Sequence, residues 1–316
     1  MTIGRERAFG LPWGGPHRIA AEMRKTMKQK TYAYLLITFI LWGSLFVVTQ
    51  FVLGKIPAFT VAMFRYLLSY VALSLAAAGK EKEAIDRKDY RYFFIVGFIG
   101  YFVAVDFQLL GTRFAGSSMA SLINSLNPVF ISVMAVFILK EKLTKEKIAG
   151  LLLSMAGVYL IIGHGNGSSL PGIVFSFIAV TGWAFMSVVS RKISRKYSSL
   201  TITRYAMLIA AACNVPAALL EIFFTHPAIQ ADVPAVLGLL YMGLICTAFT
   251  NILWNKSLSQ LPANTCSAFY PIQTLTSSFL GILVFHEVLT GSFVAGTVFI
   301  AGGVLLSLLW KPADTD

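Results

Sequence analysis

Residues 115–130, AGSSMASLINSLNPVF, lead into 136–160, VFILKEKLTKEKIAGLLLSMAGVYL, and the whole run Ala115–Leu160 returns 146 residues later as Leu261–Leu306. Without gaps, Ser121 falls on Ser267, Glu141 on Glu287, Leu143 on Leu289 and Thr144 on Thr290. Ala149-Gly150 falls on Ala295-Gly296, Gly157 on Gly303 and, upstream, Gly97 on Gly243. Each copy reads as an apolar run, a tight Glu-x-Leu-Thr turn and a second apolar run. Arg65-Tyr66 against Arg204-Tyr205 is a further match that needs a local adjustment. So many agreements in one register identify an internal duplication.

Composition says what surrounds the duplicated unit. The 316 residues are 57% hydrophobic and 13% charged, with a mean hydropathy of +0.73. Too few charges are present to cover that apolar surface in water, whereas a bilayer is itself the solvent for it. The net charge of +12 lies in short runs between apolar segments. That pattern points to the anionic face of a lipid bilayer and away from nucleic acid. Cys213, Cys246 and Cys266 fall inside apolar runs without ligand spacing and read as small apolar filler. No metal or cofactor is expected.

Residues 1–31 are polar and basic and read as a disordered cytoplasmic tail without the apolar core of a signal peptide. Met23 and Met27 stand where a shorter version of the chain would begin. Ten apolar segments follow, each long enough to cross about 30 Å of hydrocarbon. In the first repeat, 32–163, they are Tyr32–Leu53, Pro57–Ala78, Arg91–Gly111, Gly116–Leu139 and Lys147–Gly163. In the second, 171–310, they are Pro171–Ser190, Thr201–Phe224, Pro234–Ser257, Pro262–Phe285 and Ser292–Trp310, before a short tail, 311–316.

Charge sets the orientation. With the N-terminus inside, 22 of the 26 Lys and Arg residues fall on the inner side, while the outer loops hold only Lys55 and Arg113. Both termini are therefore expected in the cytoplasm of a cell-membrane protein. Five spans per repeat is an odd number, so the second repeat enters upside down. The expected fold is all-α and integral to the membrane, with ten transmembrane helices as two inverted five-helix repeats. Inverted repeats place a binding site between the halves.

The doubled five-span unit and Asn127-Pro128, thirteen residues before Glu141 in its KEKLT turn, resemble the EamA-type ten-span permeases of the drug/metabolite transporter superfamily. Trp42-Gly43-Ser44 and Trp183-Ala184-Phe185 add to the likeness, which covers about residues 32–310. The second copy departs from it: Thr274 stands in the place of Pro128, and proline comes earlier as Pro271. The resemblance implies export of small metabolites, amino acids or amphiphilic compounds, with spans 5 and 10 outside the transport cavity.

The residues themselves nominate the cavity. Pro128, read as lying in mid-span 4, frees the carbonyl of Asn124 beside the Asn124 and Asn127 amides; Pro271 frees that of Ser267 near Tyr270 and Gln273. Broken helices present such backbone polarity at mid-membrane, or they merely shape packing. Arg65, eight positions past Pro57, sits about 12 Å into the bilayer by helical rise. Its charge there requires a partner or water. Asp106, at similar depth, is the expected partner and the candidate proton carrier; snorkelling of Arg65 to the surface is the alternative. Arg204 begins nearer the inner boundary and reads as structural. Phe39, Trp42, Phe46, Tyr101, Phe107, Trp183, Trp254, Phe269 and Tyr270 are candidate walls, and Gln108, Asn124, Asn127, Asn251, Asn255 and Gln273 candidate polar contacts. Gly150, Ser154 and Gly157, like Gly296 and Gly303, line one helix face suited to packing or homodimerisation.

The expected function is a secondary transporter that moves such a solute by alternating access. A phosphorylated-metabolite or sugar-nucleotide antiporter, a channel and an intramembrane enzyme are the alternatives. Against the enzyme, all four histidines lie in the tail or at span ends, and neither HExxH nor GxSxG occurs.

Overall fold

The computed structural model describes residues 16–79, 83–139, 145–164, 169–267, 269–286 and 290–309, and all regular structure in them is helical. The first repeat gives α1 (Pro16–Leu53), α2 (Ala58–Ala77), α3 (Arg87–Ala115), α4a (Ser117–Asn124), α4b (Asn127–Leu139) and α5 (Lys145–His164). The second gives α6 (Leu170–Ile193), α7 (Ser199–Thr225), α8 (Val233–Gln260), α9a (Ala263–Ser267), α9b (Tyr270–Phe285) and α10 (Gly291–Leu309). Among the described residues seven helices are long and apolar enough to cross a membrane: α1 from Gln29, α2, α3, α6, α7, α8 and the run Thr265–Phe285. Their exposed side chains are apolar, as at Leu75, Leu219, Phe223, Leu237 and Phe279, which is what a lipid-facing surface requires.

Local chemistry sets the ends. The Ser169, Ser198 and Asp232 side chains accept the N–H groups of Gly172, Thr201 and Ala235 and start α6, α7 and α8, with Pro171 and Pro234 in the first turns. Gly116, at φ 83°, turns α3 into α4a. Residues 16–31, expected to be disordered, are helical and continuous with the first span. Pro16 opens α1, and no Gly or Pro interrupts it before Gly43. The Glu141 and Glu287 turns lie outside the described residues.

The two repeats deform alike. α3 is π-helical over Val96–Val103 and α8 over Tyr241–Phe249, almost one repeat offset apart and containing the matched Gly97 and Gly243. Contacts pair up in the same way. α3 packs on α6 as α8 packs on α1, α4 on α6 as α9b on α1, and α3 on α7 as α8 on α2, while α2 meets α7 and α5 meets α10.

The α5–α10 seam uses the four matched glycines. A Cβ on Gly157 would lie 2.7 Å from the Gly296 carbonyl oxygen, and one on Gly303 would collide with that of Gly150. Residue i meets j's counterpart and j meets i's, the mark of a two-fold contact. Sequence order rises on one helix as it falls on the other, so the helices are antiparallel. The faces read as packing or dimerisation surfaces are thus spent on each other within one chain.

Candidate functional site

The breaks in spans 4 and 9 come first, because they shape the centre. Pro128 does not kink a continuous helix. Helix α4a ends at Asn124, and Pro128 lies in the first turn of α4b, where a missing N–H costs nothing. The Asn124 carbonyl is not offered to a ligand either. The Asn127 amide nitrogen donates to it at 2.8 Å and to Asn124 Oδ1 at 2.5 Å. Pro271 likewise occupies the first turn of α9b, so span 9 breaks near the equivalent place despite Thr274. Thr274 Oγ1 donates to the Ser121 carbonyl (3.0 Å) and Ser277 Oγ to that of Ser117 (3.4 Å), closing the structure where α4a meets α9b.

Beside this closure lies a cavity. From α1 it is lined by Trp42, Leu45 and Phe46; from α2 by Arg65; and from α3 by Tyr101, Val105 and Gln108. Asn124, Trp183, Asn251, Tyr270 and Gln273 complete it. Its volume is about 20 Å³, room for a water or two when one needs about 10–15 Å³. That space is too small for a metabolite.

The walls are held by buried bonds. Trp42 Nε1 donates to Thr250 Oγ1 at 2.9 Å and to the Cys246 carbonyl at 3.2 Å. Tyr101 Oη donates to Asn251 Oδ1 at 2.7 Å, and Tyr66 Oη donates to the Tyr101 carbonyl at 2.5 Å. Trp183 meets Trp42 and Tyr101 edge to face at 5.5 and 5.6 Å. Other lining donors are less well satisfied: among the described residues Gln273 Nε2 is buried and unpaired, and Trp183 Nε1 and Tyr270 Oη, which face each other, make no close hydrogen bond.

Arg65 is 5% exposed and donates from Nε to Thr247 Oγ1. Thr247 Oγ1 in turn donates to the Met242 carbonyl five residues back, a reach that the π-helical turn of α8 provides. The expected Arg65–Asp106 ion pair is absent, and neither Asp106 oxygen makes a close hydrogen bond among the described residues. Asp106 faces the Asn214 amide on α7 and lies within electrostatic reach of Arg65 and Glu221. Arg65 is thus a buried cation with no carboxylate bound to it among the described residues.

Ten of the nominated residues, Phe46 among them, line the cavity, and the others, including Phe39 and Asn255, do not. Trp254 packs behind Trp42 and Tyr270 at 5.6 and 6.3 Å. Asp106 lies on a different face of α3 from Gln108, while Asn127, Pro128 and Ser267 build the helix breaks. Phe107 packs on Phe175, and Phe269 stacks on Phe39. Leu45 and Val105 were missed, although both were accessible through helical spacing, one turn from Trp42 and from Tyr101. Nothing in the sequence marked Thr247, whose role depends on the π-turn.

Membrane-length helices around a donor-rich cavity define a membrane protein with a candidate solute site. The model of the EamA-like transporter family matches residues 29–163 and again 170–309, and the chain belongs to that family. It is 25% identical to the uncharacterized transporter YetK of Bacillus subtilis (strain 168), over 89% of this chain and 87% of that one. It is 23% identical to a protein of Salmonella typhimurium (strain LT2) named "Probable amino-acid metabolite efflux pump", over 89% of this chain and 96% of that one. A solved crystal structure, 18% identical over 89% of this chain and 98% of its own, superposes with a TM-score of 0.67 and carries the fold alone.

Proposed function

We propose that this EamA-family protein is a ten-span secondary transporter, built of two inverted five-helix repeats, that moves small carboxylate-bearing metabolites by alternating access. The observation that carries the reading is the set of donors around one cavity that no described carboxylate takes: Arg65, with Gln273 Nε2 unpaired and with Trp183 Nε1 and Tyr270 Oη facing only each other. Buried donors left unpaired are costly, and a carboxylate that accepts from them recovers that cost. The aromatic walls from Trp42, Phe46 and Tyr101 suit an apolar body on the same molecule.

The inverted arrangement is supported by the reciprocal, antiparallel glycine contacts of α5 and α10. A two-fold axis relating antiparallel spanning helices lies in the membrane plane. The Lys and Arg asymmetry favours both termini in the cytoplasm, and amino-acid-derived solutes, as in the Salmonella relative's name, carry the required carboxylate. A phosphorylated cargo fits less well, because Arg65 is the sole cation in the lining.

The test is counterflow in proteoliposomes with phenylacetate, phenylalanine, phenylacetamide and phenethylamine. Saturable exchange is expected for the two carboxylates and not for the neutral amide or the amine. Equal transport of phenethylamine and phenylacetate would refute the reading.

A further inference from the structure

Asp106 is 3% exposed, neither carboxylate oxygen makes a close hydrogen bond among the described residues, and the one side chain within longer hydrogen-bonding reach is that of Asn214. A bare carboxylate in that setting is strongly disfavoured, whereas the carboxylic acid needs only an acceptor for its O–H. The acceptor is beside it. Asn214 on α7 spends its Nδ2 on the Ala210 carbonyl at 3.1 Å, which leaves its buried Oδ1 unpaired. One proton on Asp106 satisfies both orphaned groups.

A second carboxylate, within electrostatic reach of Asp106, lies on the same helix. Glu221 is seven residues on from Asn214, on the same face of α7. Its Oε2 accepts from the Thr60 N–H at 3.1 Å, and the side chain lines an open mouth of about 370 Å³ with Lys55 and Arg113. The other titratable groups near Asp106 are Arg65 and Tyr66 on α2 and Cys213 on α7. Helices α1 and α6, also packed on α3, carry their titratable residues only toward the opposite end, and α4a carries none.

We infer that Asp106 is a proton site linked to Arg65: a proton on Asp106 and a substrate carboxylate at Arg65 bind together, and the proton exchanges with the mouth through Glu221. The inference rests on the carboxylate reading of the cavity. Arg65 supports one counter-charge in this low-dielectric centre. When Asp106 is ionised it supplies that charge and weakens the substrate; when Asp106 is protonated the substrate supplies it. By reciprocity the bound carboxylate favours the protonated acid, so solute and proton cross in the same direction.

Two readouts test this on the full chain. The first is phenylacetate affinity, followed by tryptophan fluorescence between about pH 6 and pH 8, where the probe stays ionised. Affinity should weaken as pH rises, by up to about tenfold per unit once Asp106 ionises, and Asp106→Asn should bind tightly without pH dependence. The second needs no substrate: an infrared band of a protonated carboxyl at neutral pH, which Asp106→Asn removes. Glu221→Gln should slow loss of that band after a jump to high pH, and an unchanged rate would remove Glu221 from the route. Binding of phenylacetate without pH dependence, or an unaltered pH slope in Asp106→Asn, would overturn the linkage and leave the Arg65 reading standing. No phenylacetate binding at any pH would defeat the Arg65 reading instead; Asp106 as a proton site then stands or falls on the infrared band.

Discussion

Arg65-Tyr66 and Arg204-Tyr205 are the same dipeptide early in equivalent helices, yet they end in different places. Arg65 is buried, lines the cavity and donates to Thr247. Arg204 is half-buried near the start of α7, with its guanidinium over the Tyr205 ring at 5.3 Å. The cavity shows the same divergence throughout. Asn124 and Tyr270 are repeat counterparts and both line it, as are Val105 and Asn251. Tyr101 in the lining corresponds to Thr247, the partner of Arg65. Asp106 corresponds to Ile252. The duplication supplies positions, and the chemistry comes from where the copies have diverged.

The largest expected effect breaks the arginine pair. Arg65→Ala should lower phenylacetate affinity at least about 100-fold, as removing a desolvated charge partner does, while Arg204→Ala changes it less than about threefold. Equal losses would remove the functional distinction between the halves. The glycine seam should instead behave symmetrically. Gly157→Ala and Gly303→Ala each force a Cβ onto a carbonyl of the other helix and should each cost about 1–3 kcal/mol of stability, read as thermal unfolding in detergent. A loss at only one would show that the contact is not two-fold. Asn251→Val copies the first half's valine into the second and strands Tyr101 Oη; about tenfold weaker phenylacetate binding is expected, with the fold retained.

The smallest effect lies at the membrane edge. Asp232 caps α8 and pairs with Lys55 at 2.5 Å. The Lys55 hydrogen bond, with the Ala235 N–H, holds its carboxyl below the ordinary range. A depressed carboxyl contributes above its unfolded pKa and loses that contribution as pH falls through the folded value. Asp232→Ala should therefore lower Tm slightly at neutral pH, through loss of the cap and the Lys55 pair, and the difference should shrink as pH falls below about 4.

Much of this was legible in the sequence. Apolar lengths gave most helical segments close to their observed limits, and the offset of 146 residues that matches Gly97 with Gly243 also relates the two π-helical stretches that contain them. Among the residues that line the cavity, Asn124, Tyr270 and Gln273 stand beside the proline breaks, and others were nominated as aromatic or amide side chains within the spans. Geometry at single bonds was not legible. Pro128 looked like a mid-helix kink because sequence does not reveal that the chain leaves helix at Ser125, nor that Asn127 caps the carbonyl thereby freed. Arg65 and Asp106 looked like a pair by depth alone, but depth says nothing about azimuth, and the π-turn of α8 brings Thr247 to the arginine first. The helix at 16–31 was hidden by its charge, since polar composition alone does not separate a solvated helix from coil.

Alternating exposure of the Arg65 cavity is tested most directly by thiol accessibility. With Cys213, Cys246 and Cys266 changed to serine, Leu45→Cys places one thiol in the cavity lining. Impermeant reagent should label it from each side of the membrane in separate trials, with phenylacetate protecting against both. Labelling from one side only, unaffected by phenylacetate, would contradict a site that opens in turn to the two faces.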